Sequence, residues 1–206
     1  MKRPTSVLLV LLMAAVLGGC GKEDPGQSKV EAMIRDELGK PAGELKDSDF
    51  QSIEEFSHYP DSYNKRTEEE KIEDVALIGK MTSLKKLNLG VNKIKDISAL
   101  SGCTQLQELS LQDNQIGDIK VVAGMTKLKK LELDKNVITD VSALAGLPDL
   151  EVVSLMNNQI TDPSPLAGLK KILHINLTGN PVSEDAVKKL QDTLGKDKVV
   201  FEKQDN

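Results

Sequence analysis

One pattern is written almost five times in succession between Leu84 and Val182. The copies read LKKLNLGVNKIKDISALSGCTQ, LQELSLQDNQIGDIKVVAGMTK, LKKLELDKNVITDVSALAGLPD, LEVVSLMNNQITDPSPLAGLKK and ILHINLTGNPV. They begin at Leu84, Leu106, Leu128, Leu150 and Ile172, so the spacing between copies is constant. Self-similarity at a fixed period of this length predicts a solenoid, in which each copy buries its apolar face against its neighbours.

Alternating leucines within each copy predict a short strand with one inward and one outward face, as at Leu87-Asn88-Leu89. The equivalent strands are expected at 109–111, 131–133, 153–155 and 175–177, and together they predict a parallel sheet on the concave side of an arc. An asparagine follows every strand, at Asn92, Asn114, Asn136, Asn158 and Asn180. At a bend, an asparagine can satisfy backbone groups of adjacent turns that would otherwise be unpaired.

Three further features could be interpreted as metal-binding or reactive sites, namely an acidic column, Cys103 and His174. An acidic column consists of Asp74, Asp96, Asp118, Asp140 and Asp162. Stacked carboxylates can attract calcium, but one carboxylate per turn does not converge on a point, so turn capping is favoured. Cys103 aligns with inward Met81 and Met125, which favours a buried hydrophobic role over a reactive thiol. His174 has no second ligand at metal-binding spacing and is expected at the surface.

The consensus LxxLxLxxNxI, followed by xDI/VxxLxGL/MxxL, is that of the leucine-rich repeat, and its 22-residue form with Asp after Ile resembles bacterial internalins. The resemblance covers residues 34–201, and IRDELGKPAGELKDSDF (34–50) resembles the cap before internalin repeats. It implies an α/β fold, a leucine-rich repeat solenoid with a curved parallel sheet on the concave side. The repeats occupy residues 84–182, between a helical N-terminal cap and a helix-plus-strand C-terminal cap.

Residues 1–19 have the parts of an export signal, with Lys2 and Arg3 before an apolar run, 7–17, and two glycines. As a helix, the run would cover about 16 Å, too short for a hydrocarbon core of about 30 Å. Leu17-Gly18-Gly19-Cys20 resembles a bacterial lipobox, which implies a covalent lipid on Cys20; cleavage and release is the alternative. Residues 20–27 are expected to form a short tether. In Gram-negative lipoproteins an Asp after the lipidated Cys is an inner-membrane retention signal, so Gly21 at that position implies the outer membrane in such a host.

Residues 28–52 predict the N-terminal cap, with a capping box at Ser28–Glu31, a helix over about 29–38 and a second helical turn over about 47–51. Residues 53–83 predict an irregular first repeat, whose front half is Ile53-Glu-Glu-Phe56, displaced upstream by nine residues. The insertion at about 59–71 contains Tyr59, Tyr63 and Arg66. It is either a polar loop over the cap or a binding loop, since Tyr and Arg are common interface anchors.

Residues 183–206 predict the C-terminal cap. A helix is expected to start at Ser183, to bury a face that includes Val187 and Leu190, and to stop at Gly195. Residues 199–201 then predict a last edge strand. Such a closing unit is what a solenoid needs for solubility, because the final repeat has no neighbour of its own.

Outward side chains of the strands are not needed for packing, so they are expected to carry specificity. The candidates for partner binding are Lys86, Glu108, Lys130, Glu132, Asp134, Val152, Ser154, Met156, His174 and Asn176, together with Tyr59, Tyr63 and Arg66 of the insertion. The first three copies carry charges of both signs, and Lys86, Glu108 and Lys130 are expected to pair across strands. The last two copies are nearly uncharged, with Val152 and Met156 expected to be exposed. A solvated face without a ligand is the alternative.

Composition excludes several classes of function. The net charge of −5 argues against nucleic acid, and an outward face without aromatics argues against carbohydrate as a ligand. No nucleophile motif, phosphate-binding loop or metal cluster indicates an enzyme, and no cofactor is expected beyond the lipid on Cys20. A monomeric protein-binding module, lipid-anchored in a bacterial envelope, is therefore favoured. A periplasmic inhibitor or immunity-type protein and a structural spacer are the alternatives.

Overall fold

The structure of this chain, a computed structural model, describes residues 29–58 and 71–202. Several predictions concern residues outside those ranges: the export signal, the lipid on Cys20, the tether, the capping box at Ser28, and Tyr59, Tyr63 and Arg66 of the insertion. Among the described helices, none combines the length and apolar character needed to cross a membrane.

Seven short strands form one parallel sheet in which the spatial order follows the chain order. They are β1 (Glu55–Ser57), β2 (Lys86–Asn88), β3 (Glu108–Ser110), β4 (Lys130–Glu132), β5 (Val152–Ser154), β6 (His174–Asn176) and β7 (Val199–Val200). The register places equivalent positions side by side, so that Leu87 lies beside Leu109, which lies beside Leu131. The predicted leucine-rich repeat solenoid with its curved parallel sheet is confirmed. Strands β2–β6 begin and end one residue earlier than predicted.

Short 3-10 helices close each turn on the side opposite the sheet. They span Ile78–Lys80, Ser98–Gly102, Lys120–Gly124, Ser142–Leu144 and Ser164–Gly168. The core between the two layers is a single cluster of buried side chains, which runs from Val30 in the first helix to Val199 in the last strand. Aliphatic residues dominate it, because each repeat contributes the same inward Leu, Ile and Val positions.

The N-terminal cap consists of α1 (Lys29–Leu38) and α2 (Asp47–Gln51), and both helices have the predicted bounds. Helix α1 buries Val30 and Ile34 and is followed by Gly39 in a left-handed conformation, with φ of +62°. Helix α2 buries Phe50, and the Lys80 ammonium lies 5.3 Å from the centre of its ring. This cation–π contact links the cap to the first turn of the solenoid.

The first repeat is assembled from two separated pieces, as predicted. Phe56 of β1 pairs with Leu87 of β2, although the chain between them is longer than one period of the repeat. Ile53 and Phe56 are buried in the core. The structural register of the first repeat is therefore kept across the insertion.

The C-terminal cap consists of α3 (Glu184–Leu194) and β7, as predicted. The hydroxyl of Ser183 accepts the backbone N–H of Ala186 at 3.2 Å, which caps the start of α3. Gly195 ends the helix with φ of +110°. The side-chain amide of Gln191 donates to the carbonyl oxygen of Val199 at 3.1 Å, so α3 satisfies a backbone acceptor of the last strand.

A column of left-handed residues follows the strands and was not predicted from the sequence. Val91, Asp113, Lys135 and Asn157 have φ between 53° and 60°, and Gly179 has φ of 76°. Gly, Asn and Asp adopt this conformation readily, whereas a β-branched residue is strained there. Val91 is therefore held in place by its surroundings, which include a hydrogen bond from its N–H to Gln112 O at 2.8 Å.

Candidate functional site

The side chains of the asparagine column form hydrogen bonds between each repeat and the preceding one. Asn114 Oδ1 accepts the N–H of Ile94 at 3.0 Å, and Asn114 Nδ2 donates to the carbonyls of Leu89 and Leu111, each at 3.0 Å. Asn136 and Asn158 repeat this geometry one and two copies further on. The predicted structural role is confirmed, so these amides are not available to a ligand.

Each residue of the aspartate column caps a turn by accepting the backbone N–H two residues further on. Asp96 Oδ1 accepts the N–H of Ser98 at 2.8 Å, and the equivalent bond recurs from Asp74 to Asp162. Hydrogen bonds from the backbone N–H and then the hydroxyl of Ser98 hold the pKa of Asp96 below its usual range. The described residues contain no group of three or more His, Cys, Asp or Glu that could hold a metal. The predicted turn-capping role is confirmed.

Cys103 and His174 occupy different environments. The Cys103 side chain is fully buried, and burial raises the pKa of its thiol to about 11. Because a thiol with this pKa stays protonated near neutral pH, Cys103 behaves as the buried hydrophobic residue that was predicted. His174 lies on the outward face of β6, as expected, but it is half-buried rather than fully exposed.

The N-terminal part of the outward face, which we call the charged half, consists of Glu55, Lys86, Glu108, Lys130 and Glu132. Lys86 Nζ lies 3.4 Å from Glu108 and 3.7 Å from Glu55, and these carboxylates, Glu108 first, raise the pKa of Lys86. The predicted pair between Lys86 and Glu108 is confirmed. The predicted pair between Lys130 and Glu108 is wrong, because Lys130 Nζ bonds Glu132, on the same face of its own strand, at 2.8 Å.

Hydrogen bonds between strands engage several residues that were expected to be free. Ser110 Oγ donates to Glu132 Oε2 at 2.7 Å, and the N–H of Met156 donates to Asp134 Oδ1 at 2.7 Å. The hydroxyl of Ser154 also donates to Asp134. Burial opposes ionisation of Glu132, but hydrogen bonds from Lys130 and Ser110 outweigh it and lower the pKa of Glu132. The expectation that these side chains have no structural duty is therefore wrong.

The C-terminal part of the outward face consists of Val152, Met156, His174 and Val200, and Leu173 directly precedes β6. Leu173 is 61% exposed and Val200 is 36% exposed. Val152 and Met156 were predicted to be exposed, but both are half-buried. Val152 lies on β5, which has a neighbouring strand on each side, and Met156 follows that strand. Asn176, also half-buried, lies beside Val200 in the register of β6 and β7.

Leu173 and Val200 were missed as candidates by sequence reasoning, although each had a signal. Leu173 occupies the same position in its copy as Lys85, Gln107, Lys129 and Glu151 do in theirs, so it is an aliphatic residue in a polar column. Val200 was assigned to the closing strand, and the outward columns were not continued onto it. The register shows that it extends the column of Ser154 and Asn176.

Comparison with known proteins supports the repeat assignment. A sequence model described as leucine-rich repeat matches residues 70–116, and one described as two copies of leucine-rich repeats matches residues 104–146. A search of curated protein sequences returned no match. Neither matched model describes a catalytic family, and leucine-rich repeats are typical of scaffolds that bind proteins on a concave surface. The predicted leucine-rich repeats are confirmed.

Solved structures share the fold. A leucine-rich repeat protein of Leptospira interrogans aligns with a TM-score of 0.59 and 28% identity, over 63% of this chain and 34% of that one. The functional domain of InlJ from Listeria monocytogenes aligns with a TM-score of 0.52 and 18% identity, over 65% of this chain and 27% of that one. The internalin InlF from the same species is 27% identical, over 74% of this chain and 56% of that one, with a TM-score of 0.48. This chain therefore spans about a third of the Leptospira protein.

Proposed function

We propose that this protein is a protein-binding module that works through the outward face of its sheet and is displayed in a bacterial envelope on a lipid anchor at Cys20. The observation that carries the binding role is the contrast between the two faces of each strand. Inward positions repeat the same aliphatic residues, whereas one outward column reads Lys86, Glu108, Lys130, Val152 and His174. Packing of the core requires the first set, whereas it does not dictate the second set, which varies from strand to strand as a recognition surface does.

The size of the sheet constrains how a partner binds. Seven strands about 4.8 Å apart span about 30 Å, and with a strand length of about 10 Å the face offers roughly 300 Å². A standard interface buries roughly 800 Å² on each partner. A partner therefore also contacts loops, for which the insertion with Tyr59, Tyr63 and Arg66 is the candidate, or binds weakly and gains effective concentration from membrane tethering.

The binding role is tested by a double substitution that changes both halves of the face. Met156→Asp combined with Lys130→Glu is expected to lower capture of the partner from cross-linked cells by about tenfold or more, because a new carboxylate must be desolvated in the interface. The substitutions remove the Lys130–Glu132 ion pair and place a carboxylate near Asp134, so a modest drop in melting temperature is expected and capture is compared at a temperature at which both proteins are folded. Capture is measured by quantitative mass spectrometry after affinity purification.

A matched control carries the same change of charge on another surface. Lys188 and Thr193 are exposed on α3, and Lys188→Glu combined with Thr193→Asp is expected to leave capture unchanged. Equal capture by the wild type and the Met156 and Lys130 variant would place the binding site off the outward face of the sheet and refute the proposal.

The anchor is tested by metabolic labelling with a palmitate analogue. Wild-type protein is expected to incorporate the label, and Cys20→Ser is expected to lose it, because the thiol of Cys20 is the proposed acceptor. Cys103→Ala serves as the control, since that thiol is buried in the core and cannot be acylated in the folded protein. Labelling that persists in Cys20→Ser would contradict the lipid anchor.

A further inference from the structure

We propose that the outward face recognises the main chain of a partner protein through two backbone N–H groups, those of Gln112 and Asp134. The inference rests on the proposed binding function and deepens it, because it names the groups that bind and the chemistry that they require. Within residues 29–58 and 71–202, neither N–H group has an acceptor, whereas the equivalent N–H groups of the other repeats are paired.

The position concerned lies two residues after each of strands β2–β6, where the chain leaves the sheet. The side chain of Asn88 accepts the N–H of Gly90 at 3.1 Å, and the side chain of Asn176 accepts the N–H of Thr178 at 3.0 Å. Asn88 and Asn176 are outward residues of their strands. The N–H at this position therefore points towards the outward face of the sheet.

The two central repeats lack the asparagine that accepts this N–H. In the register of the sheet, Ser110 and Glu132 occupy the position of Asn88. Both side chains are engaged elsewhere, because the hydroxyl of Ser110 donates to Glu132 at 2.7 Å and Glu132 also bonds Lys130. The N–H groups two residues further on, in Gln112 and Asp134, are therefore left for an acceptor from outside the chain.

The repeat that follows also lacks the asparagine, but its N–H is paired in another way. Ser154 occupies the asparagine position there, and the N–H of Met156 donates to Asp134 Oδ1 of the preceding repeat at 2.7 Å. Gln112 and Asp134 have no such neighbour, since the residues that precede them in the column are Gly90, which has no side chain, and Gln112, whose side chain bonds Ser110. The unpaired donors are thus confined to two adjacent repeats.

The charges around the two donors select an uncharged acceptor. The outward positions of these two repeats carry two lysines and four acidic residues, which are Lys130, Lys135, Glu108, Asp113, Glu132 and Asp134. The local charge is negative, and one of the carboxylates belongs to the same residue as one of the donors. A carboxylate or phosphate of a partner is therefore repelled, whereas a carbonyl oxygen is not.

The spacing of the donors indicates a peptide segment and not a single amide group. Equivalent atoms of adjacent parallel strands are about 4.8 Å apart, and the hydrogen bond from the N–H of Asp113 to the carbonyl oxygen of Asp134 at 2.8 Å keeps the repeats together beyond the strands. One oxygen atom about 2.9 Å from both nitrogens would make N–H···O angles near about 120°, where hydrogen bonds are weak. Two carbonyl groups are needed, and the main chain of a segment that crosses the strands supplies them.

Two substitutions can pair both donors within the protein. Ser110→Asn combined with Glu132→Asn, the asparagine variant, introduces the residue that accepts the same N–H in the first and last of these repeats. Ser110→Ala combined with Glu132→Ala, the alanine variant, is the matched control, because it removes the same side chains and leaves both N–H groups unpaired. Asparagine already occupies this position in β2 and β6, so the asparagine variant is expected to fold.

The binding test uses peptides selected from a random phage-displayed library on the immobilised full-length protein. The selected peptides are expected to bind the asparagine variant about tenfold or more weakly than wild type, and to bind the alanine variant within about threefold of wild type. Equal losses in the two variants would show that the side chains of Ser110 and Glu132 are the contact and would overturn the inference.

The variants also separate this inference from the proposed function. Peptides that keep their affinity for the asparagine variant but lose it in Met156→Asp combined with Lys130→Glu would overturn the inference and leave the proposed function standing. Peptides indifferent to every variant, or a library that yields no binder, would count against both proposals.

Hydrogen exchange followed by NMR tests the donors without a ligand. In the wild-type protein, the protection factors of the Gln112 and Asp134 amides are expected to be about tenfold or more below those of Gly90 and Thr178, because unpaired amides exchange without a local opening. Similar protection at all four positions would mean that the two donors are already paired and would overturn the inference.

Discussion

Replacing Asn136 with alanine is expected to lower the free energy of unfolding by about 3–5 kcal/mol, because three hydrogen bonds are lost and one buried backbone N–H is left unpaired. Its Oδ1 accepts the N–H of Ile116 at 2.9 Å, and its Nδ2 donates to the carbonyls of Leu111 and Leu133 at 3.0 Å each. Alanine leaves the N–H of Ile116 without a partner and leaves the carbonyls of Leu111 and Leu133 with one amide donor each, from Asn114 and Asn158. Asn136 is only 6% exposed, so water does not readily replace its amide.

Urea unfolding followed by circular dichroism measures this loss. The control is Gln159→Ala, which removes an exposed amide in the next repeat and is expected to change stability by less than about 0.5 kcal/mol. Asn136→Asp keeps an acceptor for Ile116 but turns a donor into a carboxylate oxygen facing two carbonyls, so it is expected to destabilise as strongly as alanine. A loss below about 1 kcal/mol for Asn136→Ala would show that the ladder is not needed for stability.

Replacing Gly79 with alanine is expected to destabilise the protein by about 2–3 kcal/mol, the cost typical of inserting a methyl group into filled space. A β-carbon at Gly79 would lie 2.2 Å from the carbonyl oxygen of Ala99. That oxygen is part of the backbone, so the first two 3-10 helices would have to move apart. The corresponding positions in the repeats are Ser101, Ala123, Ala145 and Ala167, so repeat consensus alone would predict that alanine is favourable here.

Gly146→Ala is the matched control for this prediction. Gly146 has no positive φ, and a β-carbon there meets no atom within 4 Å. Alanine is therefore expected to stabilise by about 0.4–1 kcal/mol, through the lower entropy of the unfolded chain. Thermal and urea unfolding of both variants compare the two sites, and similar midpoints for Gly79→Ala and wild type would mean that the close approach to Ala99 is easily relieved.

The sequence predicted what the inward columns determine. The constant period of the repeat determines which leucines lie beside each other. The same pattern also predicted that Phe56 occupies the position of Leu87 in its repeat, although an insertion separates the two halves of the first repeat. The bounds of α2 and the N-cap of α3 at Ser183 follow from local side-chain preferences that the structure bears out. Core packing and turn capping use the same residue types in each copy, so the repeat pattern in the sequence predicts them.

The outward face was predicted less well, because it depends on the reach of individual side chains. Lys130 had Glu108 on the preceding strand and Glu132 on its own strand as possible partners, and spacing does not choose between them. Asp134 extends to the N–H of Met156 in the following repeat, which no period indicates. The left-handed column could not be recognised in the sequence because it includes Val91 and Lys135, and neither residue type indicates a positive φ.

The asparagine ladder makes the length of the molecule an adjustable quantity. Each amide joins its own repeat only to the preceding one, for example Asn158 to Ile138 and Leu133. A gene duplication or deletion of one whole period would therefore preserve each junction, whereas a change of any other length would break the register of all strands beyond it. Selection can therefore add or remove one strand of this face at a time. The two end caps and the side chains on all remaining strands then stay unchanged.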